Sequence, residues 1–171
     1  MVFIGFNPSP AAFASGHYYA NPRNRFWALL AASGLTPRRM SPAEDVLLPG
    51  LGMGLADVVP RATPSAGELG AAELRLGAEV VRGHLRDWRP DWAAYTGKGV
   101  YRAVAGHAPP GYGPAPGQIV PGVADFVLPS PSGRSGMPWE EKLSWYRRLA
   151  ACLSDPPRGV APARRRQVGR L

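Results

Sequence analysis

Short apolar segments rich in β-branched and aromatic residues alternate with longer segments of helical periodicity along most of the chain. Glycine or proline closes each short segment, which is typical of buried strands. The sequence predicts four strands, at residues 2–4, 55–59, 91–96 and 123–128. Because strands that alternate with helices form parallel sheets, the pattern predicts an α/β fold in which helices cover both faces of a mostly parallel sheet.

End signals mark several of the helices. A helix capped by Asn21 or Asn24 is predicted to run through Ala31 and to stop at Gly34. The segment 41–44, Ser-Pro-Ala-Glu, matches a capping box with proline at the first helical position. It therefore predicts a short helix that ends near residue 48, followed by a turn at residues 50–54.

The longest helical pattern runs from Glu68 to about Trp88, and Pro90 ends it. Further helices are predicted from residue 99 to about 105 and over residues 138–153. Residues 106–122 are crowded with glycine and proline and predict a loop or an irregular hairpin. Six apolar residues are predicted on the buried side of the longest helix: Leu69, Leu74, Leu76, Val80, Val81 and Leu85.

The chain predicts one domain, residues 1–153, and a Pro/Arg-rich tail, residues 154–171, that lacks apolar periodicity and is expected to be disordered. Its single cysteine, Cys152, excludes an internal disulfide and a cysteine-based metal cluster. No apolar run approaches the roughly 20 residues that span a bilayer, and no signal peptide is recognised. We expect a cytoplasmic protein without membrane attachment.

The chain is strongly basic, with 20 Lys and Arg against 12 Asp and Glu and a net charge of +8. All the basic residues except Lys98 and Lys142 are arginine, whose planar fork binds phosphate bidentately. Four arginines of the tail supply about half of the net charge, and the chain is also rich in alanine, glycine and proline. Charge alone therefore leaves nucleic-acid binding and compositional bias open.

Four loops should share one rim of the sheet, because the carboxyl ends of parallel strands meet at one edge. They are residues 5–25, 57–67, 96–99 and 129–136. Hydroxyls, backbone N–H groups and an arginine in the last loop suit a phosphate ester, and an aromatic ring in the first could stack on a base, worth about 1–3 kcal/mol. The candidate side chains are Asn7, His17, Tyr18, Tyr19, Asn21, Asp57, Ser130, Ser132, Arg134 and Ser135.

Each of these signals also has an ordinary structural interpretation. His17 could be a hydrogen-bonding loop residue, and Asp57 a strand-end carboxylate with structural partners. The turn Gly97-Lys98-Gly99 lacks the spacing of a phosphate-binding P-loop. No cluster of His, Asp or Glu has metal-ligand spacing, so no metal or other cofactor is expected.

Four blocks of the chain resemble the mismatch-specific uracil/thymine-DNA glycosylase family of the uracil-DNA glycosylase superfamily. Gly5-Phe6-Asn7-Pro8 resembles its G-[IF]-N-P motif, and residues 16–27, which end in Asn-Arg-Phe-Trp, resemble its second block. Residues 54–63 are similar to its G-[IL]-x-[DK]-x-V-x-R-x-T segment, and residues 130–135 to its N-P-S-G-L-S type motif. The blocks keep their order and spacing over about residues 2–150.

The resemblance implies a three-layer α/β/α fold and an enzyme that hydrolyses the N-glycosidic bond of uracil in DNA, especially in G:U mismatches. The nucleotide must be flipped out of the duplex, and the reaction leaves an abasic site. The implied partner is double-stranded DNA with a mismatched or damaged base, and the implied state is a monomer. Single-stranded substrates, and thymine, alkylated uracil, xanthine or ethenocytosine as the target, stay open.

Residue roles carry over motif by motif. Asn7 is expected to hold the attacking water, and Phe6 to form part of the base pocket together with Tyr19. His17 and Asn21 belong to the same predicted substrate-binding loop.

For DNA, Arg134 is expected to fill the vacated space in the stack, where some relatives have leucine. Ser132, Gly133 and Ser135 are expected to grip the backbone, and Lys98 to contact DNA from the rim. The last motif begins with Ser130 where some relatives have asparagine, so a contact made by that asparagine does not carry over.

Residue chemistry limits the mechanism. An amide cannot accept a proton usefully at neutral pH, so Asn7 can orient water but cannot be a general base. The oxocarbenium-like sugar and the departing uracil would then depend on electrostatic stabilisation, which predicts slow turnover. Asp57, at the neighbouring strand end, could act as a base or stabilise the cationic sugar; a structural role stays equally open. Lys98 is the one lysine on the rim, and the sequence predicts a monofunctional enzyme without a Schiff base.

Other functions make different demands on the sequence. The iron-sulfur branch of the superfamily needs four cysteines, and the G-Q-D-P-Y branch carries its base within the first motif, where this chain has Asn7-Pro8. A non-catalytic module that binds damaged or single-stranded DNA would share the basic rim and the aromatic residues. A nucleotide phosphohydrolase that uses the Gly97-Lys98 turn would need a carboxylate cluster for Mg²⁺.

Overall fold

A computed structural model describes residues 1–154 and contains one five-stranded sheet of order β2-β1-β3-β5-β4. The strands are β1 (Val2–Gly5), β2 (Gly54–Asp57), β3 (Trp92–Tyr95), β4 (Gly113–Pro114) and β5 (Ala124–Val127). Neighbouring strands run parallel except β4, which pairs antiparallel with β5. The predicted strands are present, each within two residues of the predicted ends, and β4 lies within the predicted loop or hairpin at 106–122.

The helices are α1 (Pro10–Ser15), α2 (Phe26–Ala32), α3 (Ala71–Trp88), α4 (Lys98–Ala105) and α5 (Trp139–Ser154). Two 3₁₀ helices, Pro42–Leu51 and Ala66–Glu68, precede β2 and α3. The first of them carries the predicted capping box but extends three residues beyond the predicted end, through part of the predicted turn.

Alternation along β1 divides the apolar residues between two cores. Val2 and Ile4 pack with residues of α3 and α4 on one face of the sheet. Phe3 packs with residues of α2, α5 and the first 3₁₀ helix on the other face. The predicted α/β fold with helices on both faces is therefore confirmed, as three α/β/α layers.

Helix α1 was not predicted, because six residues are too few to display a helical period. Its end signals are nevertheless in the sequence: the Ser9 side chain accepts a hydrogen bond from the Ala12 N–H, and Pro10 opens the helix. Gly16 ends α1 with a φ of 72°. The predicted loop at residues 5–25 is therefore wrong over this stretch.

The buried side predicted for the longest helix is wrong at two positions, since Leu76 is 72% exposed and Val80 56% exposed. The buried row is Gly77, Val81 and Leu85, of which Val81 and Leu85 were predicted, and Ala78 is buried beside it. Leu76 and Val80 precede two members of that row by one residue each, which rotates them about 100° away from the sheet. Apolar residues on two adjacent rows made the periodicity ambiguous.

Among the described residues, no helix is both long enough and apolar enough to cross a membrane. The tail predicted at 154–171 lies, apart from Ser154, outside the described residues.

Gly77 lets α3 approach the end of β2 at backbone distance. A Cβ at this position would lie 1.9 Å from the Val58 carbonyl oxygen. We expect Gly77→Ala to lower the free energy of unfolding by about 1–3 kcal/mol or more, because the helix must move away from the sheet.

Gly83→Ala is the matched control, because Gly83 lies on the same helix and a Cβ there would meet no atom within 4 Å. It should raise the free energy of unfolding by about 0.5–1 kcal/mol through helix propensity. Urea titration of both variants measures the difference. Equal stability of the two variants would contradict close backbone packing at Gly77.

Candidate active site

The loops that follow β1 and β2 are joined by backbone hydrogen bonds. The Val58 N–H donates to the Gly5 carbonyl at 2.9 Å, and the Val59 N–H to the Phe6 carbonyl at 2.8 Å. Gly5 lies opposite Asp57 in the parallel register of the two strands. The predicted first and third motifs therefore meet at the carboxyl ends of neighbouring strands, where ligands bind in open α/β sheets.

The Asn7 carboxamide is held in one orientation. Its Nδ2 donates to the Arg61 carbonyl at 2.8 Å and to the Thr63 hydroxyl at 2.7 Å. Because a carbonyl can only accept, the atom that faces Arg61 must be the amide nitrogen. Oδ1 accepts no hydrogen bond from any residue among 1–154, so it is free to accept one from a water molecule.

Neighbouring contacts hold both partners of this amide. Thr63 is buried, and its hydroxyl donates to the Ser65 carbonyl at 2.8 Å, which leaves its lone pairs to accept from Asn7. The Arg61 guanidinium makes two hydrogen bonds of 2.9 Å to the Glu73 carboxylate on α3. The direction of the Asn7 amide is therefore fixed by the loop after β2, which is itself held by α3 through Glu73.

Asp57 lies at the end of β2 beside Gly5. A Cβ on Gly5 would lie 2.5 Å from Asp57 Oδ1 and 3.1 Å from the Tyr19 hydroxyl, so both groups border one small space. Burial raises the pKa of Asp57 from 3.8 to about 7. A carboxyl group with this pKa can gain or lose a proton near neutral pH, as a general base must.

Asp57 differs from two other shielded aspartates in its lack of hydrogen-bond donors. Asp125 accepts from the Tyr95 hydroxyl at 2.9 Å and from the Ile119 N–H at 2.7 Å. Asp45 accepts from the Tyr18 N–H at 3.0 Å and lies 3.2 Å from a ring nitrogen of His17. Asp57 accepts no hydrogen bond from any described residue, and so it has no structural role as an acceptor within residues 1–154.

Tyr19 borders the same space. Its ring stacks on Phe26, with centroids 3.9 Å apart, so a base could stack only on the opposite face. Its hydroxyl lies 3.4 Å from the Thr96 hydroxyl, which donates to the Ile4 carbonyl. Burial, and then the Asp57 charge, raises the pKa of Tyr19, so the phenol stays neutral. Its φ of 55° is left-handed, a strained backbone that occurs often in functional sites.

The Phe6 ring lies against the start of α4. A Cβ on Gly99 would lie 2.9 Å from Phe6 Cζ, so the glycine of the Gly97–Gly99 turn makes room for the ring. The neighbouring Lys98 is exposed, and its ammonium lies 4.5 Å from the centre of the Tyr112 ring. Both predicted residues are thus on the rim, but Lys98 is held at its outer side by a cation–π contact.

His17 and Asn21 hydrogen-bond within or next to their own loop. His17 contacts Asp45, and the Asn21 side-chain oxygen accepts from the Arg23 N–H at 2.9 Å. A second asparagine, Asn24, accepts from the Phe26 N–H, but the N-cap of α2 is Arg25, so the predicted cap at Asn21 or Asn24 is wrong. The substrate-binding role of His17 and Asn21 stays a prediction.

The last motif forms a compact turn, which we call the 130–135 loop. Ser130 Oγ accepts from the Ser132 N–H and Ser132 Oγ from the Arg134 N–H, both at 3.2 Å. Ser135 closes the turn, since its N–H donates to the Ser132 carbonyl at 3.1 Å. The exposed Arg134 side chain reaches across to the loop after β2 and donates to the Pro64 carbonyl at 3.0 Å.

Two contributors to this site were not predicted: Thr63 and Thr96. Tyr18, a predicted candidate, is half-buried, and burial and then the charges of Asp57 and Asp45 raise its pKa. Thr63 could have been found, since it is the threonine of the third motif, whereas nothing in the sequence singles out Thr96. Within residues 1–154, no three His, Cys, Asp or Glu side chains are grouped as a metal site.

The family model of the uracil DNA glycosylase superfamily matches residues 1–152, almost the whole of the described chain. The match covers all four strand ends that build the rim, including Asn7, Asp57 and the 130–135 loop. The five-stranded, mostly parallel sheet between two helical layers is the fold expected from the sequence resemblance. The chain therefore belongs to the uracil-DNA glycosylase superfamily, a membership that supports hydrolysis by a DNA glycosylase acting on DNA.

Proposed function

We propose that the protein is a monofunctional glycosylase of the mismatch-specific branch, which removes uracil from G:U mismatches and leaves an abasic site. One observation carries the proposal: the Asn7 amide is locked with its oxygen open, next to a strand end where Asp57 has no structural partner. An oriented acceptor and a carboxyl group of pKa about 7 are what a hydrolytic attack on a sugar carbon requires.

In the proposed reaction, Asn7 Oδ1 accepts a hydrogen bond from the attacking water and aims its oxygen at the anomeric carbon. The bond from that carbon to N1 of uracil breaks, and its electron pair leaves with the base as an anion. The water oxygen forms the new bond to carbon, and the Asp57 carboxylate takes the proton. Asp57 thus supplies the base that the Asn7 amide cannot be.

The flipped uracil would lie between the Phe6 backbone and the face of Tyr19 that Phe26 does not cover. The stacking of Tyr19 on Phe26 supports this role, because it holds the ring in place before the base arrives. Stacking on an aromatic side chain is worth about 1–3 kcal/mol, which offsets much of the cost of unstacking a mispaired base.

Arg134 would enter the space that the flipped nucleotide leaves. To do so it must release the Pro64 carbonyl, an exposed hydrogen bond worth about 0.5–1.5 kcal/mol. This cost is small compared with that of base flipping. Arg134 can therefore give up its hydrogen bond to the Pro64 carbonyl and donate to the unpaired partner base. Ser132, Gly133 and Ser135 would hold the adjacent phosphates with backbone N–H groups and hydroxyls.

The test of this function is base release from duplexes with G:U, A:U or G:T pairs and from single strands, in the presence of EDTA. Among the duplexes with uracil, we expect G:U to react faster than A:U, because its mispaired uracil costs less to extrude. Borohydride should trap no covalent adduct with DNA. Tight binding to G:U duplex without base release would favour the non-catalytic module, and loss of activity in EDTA would contradict the metal-free reaction.

Asp57→Asn should slow single-turnover base release by about 10²–10⁴-fold, because it removes the general base. The wild-type rate should rise with pH and level off above about 7, where Asp57 is ionised, and the variant should lose this rise. Rates measured from pH 5 to 9 report both effects. Wild-type rates and an unchanged pH profile in the variant would make Asp57 structural.

Stability gives a second readout of the same substitution. Because the folded-state pKa of Asp57 is raised, the folded protein binds a proton that the unfolded chain releases, and wild-type stability falls as pH rises from about 4 to 7. Asp57→Asn should therefore be more stable than wild type, by a margin that grows over this pH range. Asp125→Asn, which disturbs an aspartate with two donors, should lower stability instead.

Asn7→Ala should reduce the single-turnover rate by roughly 10²-fold, since the water loses its positioning group. Thr63→Val removes one of the two acceptors that fix the amide and should produce a smaller loss, whereas Thr63→Ser keeps the hydroxyl and should stay near wild type. Rates at saturating protein, compared with the affinity for G:U duplex, separate catalysis from binding. A Thr63→Val rate equal to that of wild type would show that the Thr63 hydroxyl is not needed to orient the amide.

A further inference from the structure

A basic groove lies on the outer side of the 130–135 loop. Its volume is about 550 Å³, and its walls include Arg23, Arg25, Arg39, Gly133 and Trp139. It is separate from the Asn7 and Asp57 space, neither of which lines it. We call it the arginine groove.

The three arginines of the groove are exposed, and none forms an ion pair with a carboxylate within residues 1–154. Their sequence neighbour Arg38 differs, since it pairs with Glu44 at 2.5 Å. The Arg25 guanidinium lies over the Trp139 ring, 5.7 Å from its centre. Its contact is therefore a cation–π contact and not an ion pair with a carboxylate. The groove thus holds positive charge that no described carboxylate balances.

Lys142 on α5 adds a second, independent sign of missing negative charge. Its side chain is 2% exposed, and no carboxylate of the described chain pairs with it. Burial, and then the charge of Arg25, lowers its pKa. A shielded ammonium beside an unpaired guanidinium is unfavourable in the free protein, and an anion bound near Arg25 would relieve the repulsion.

The groove is rigidly connected to the 130–135 loop. The Arg25 N–H donates to the Pro131 carbonyl at 2.9 Å, and a Cβ on Gly133 would lie 2.6 Å from the Arg23 carbonyl oxygen. When Arg134 enters the duplex, the arginine groove is therefore brought to a fixed place beside the DNA. Planar guanidinium groups around an open groove suit successive phosphates of a backbone.

We propose that the arginine groove binds backbone phosphates of the duplex flanking the flipped nucleotide, as a second DNA contact beyond the 130–135 loop. This inference rests on the proposed function only in taking DNA as the partner. It does not depend on the catalytic role proposed for Asp57. Each phosphate neutralised by an arginine releases counterions, so each contact contributes to the salt dependence of binding.

The test is the affinity of Arg23→Ala, Arg39→Ala and the double variant for a duplex without uracil, measured between low and moderate salt. The slope of log affinity against log salt should become shallower by about 0.9 for each arginine that contacts a phosphate. The same weakening should occur on G:U duplex. Alanine keeps the Arg23 carbonyl that meets Gly133, and thermal unfolding verifies that the variants fold.

Arg38→Ala is the matched control, because it removes the same charge one residue from Arg39 but outside the groove. It should keep the wild-type slope. Equal losses in Arg38→Ala and Arg39→Ala would mean a general charge effect and overturn the proposal, as would an unchanged slope in the double variant. The affinity test uses a duplex without uracil and does not depend on catalysis. Absence of base release from G:U duplex would therefore refute the proposed function but would not affect this test.

Discussion

The parallel pairing of β1 with β2, with Gly5 opposite Asp57, is the constraint on which the site depends. It places the Asn7 loop beside the residues that fix its amide, and it sets a carboxylate next to a backbone without a side chain. A Cβ on Gly5 would lie 2.5 Å from Asp57 Oδ1. Glycine at this position therefore makes room for the Asp57 carboxylate as it is placed here, and its φ angle is not unusual.

The hydrogen bonds around this pairing divide the polar groups into two kinds. Asp45 and Asp125 accept from donors in the protein and hold its loops in place. Asp57 and the Asn7 oxygen accept from no described residue, although their neighbours are rigidly held. A polar group that is held in place without a hydrogen-bond partner lowers the stability of the folded protein. Such groups are typical of residues retained for binding or catalysis.

The arginines also divide into those with partners in the described chain and those without. Arg38, Arg61 and Arg82 pair with glutamates and stabilise local structure. Arg23, Arg25 and Arg39 have no such partners in the described chain and lie together beside the loop that carries Arg134. Net charge alone could not distinguish these groups, because it counts paired and unpaired arginines alike.

The sequence by itself determined the strands, the two-faced sheet and the loops that share its rim, because strand periodicity, Gly/Pro stops and four ordered motifs are local signals. It could not decide which face of α3 is buried, since Leu76 and Val81 belong to adjacent rows of one apolar surface. Nor could it show that Asp57 lacks a donor, that Thr63 orients Asn7, or that Arg23 and Arg39 share a groove. These facts depend on contacts between residues far apart in the chain, which only the packing of the sheet and its loops brings together.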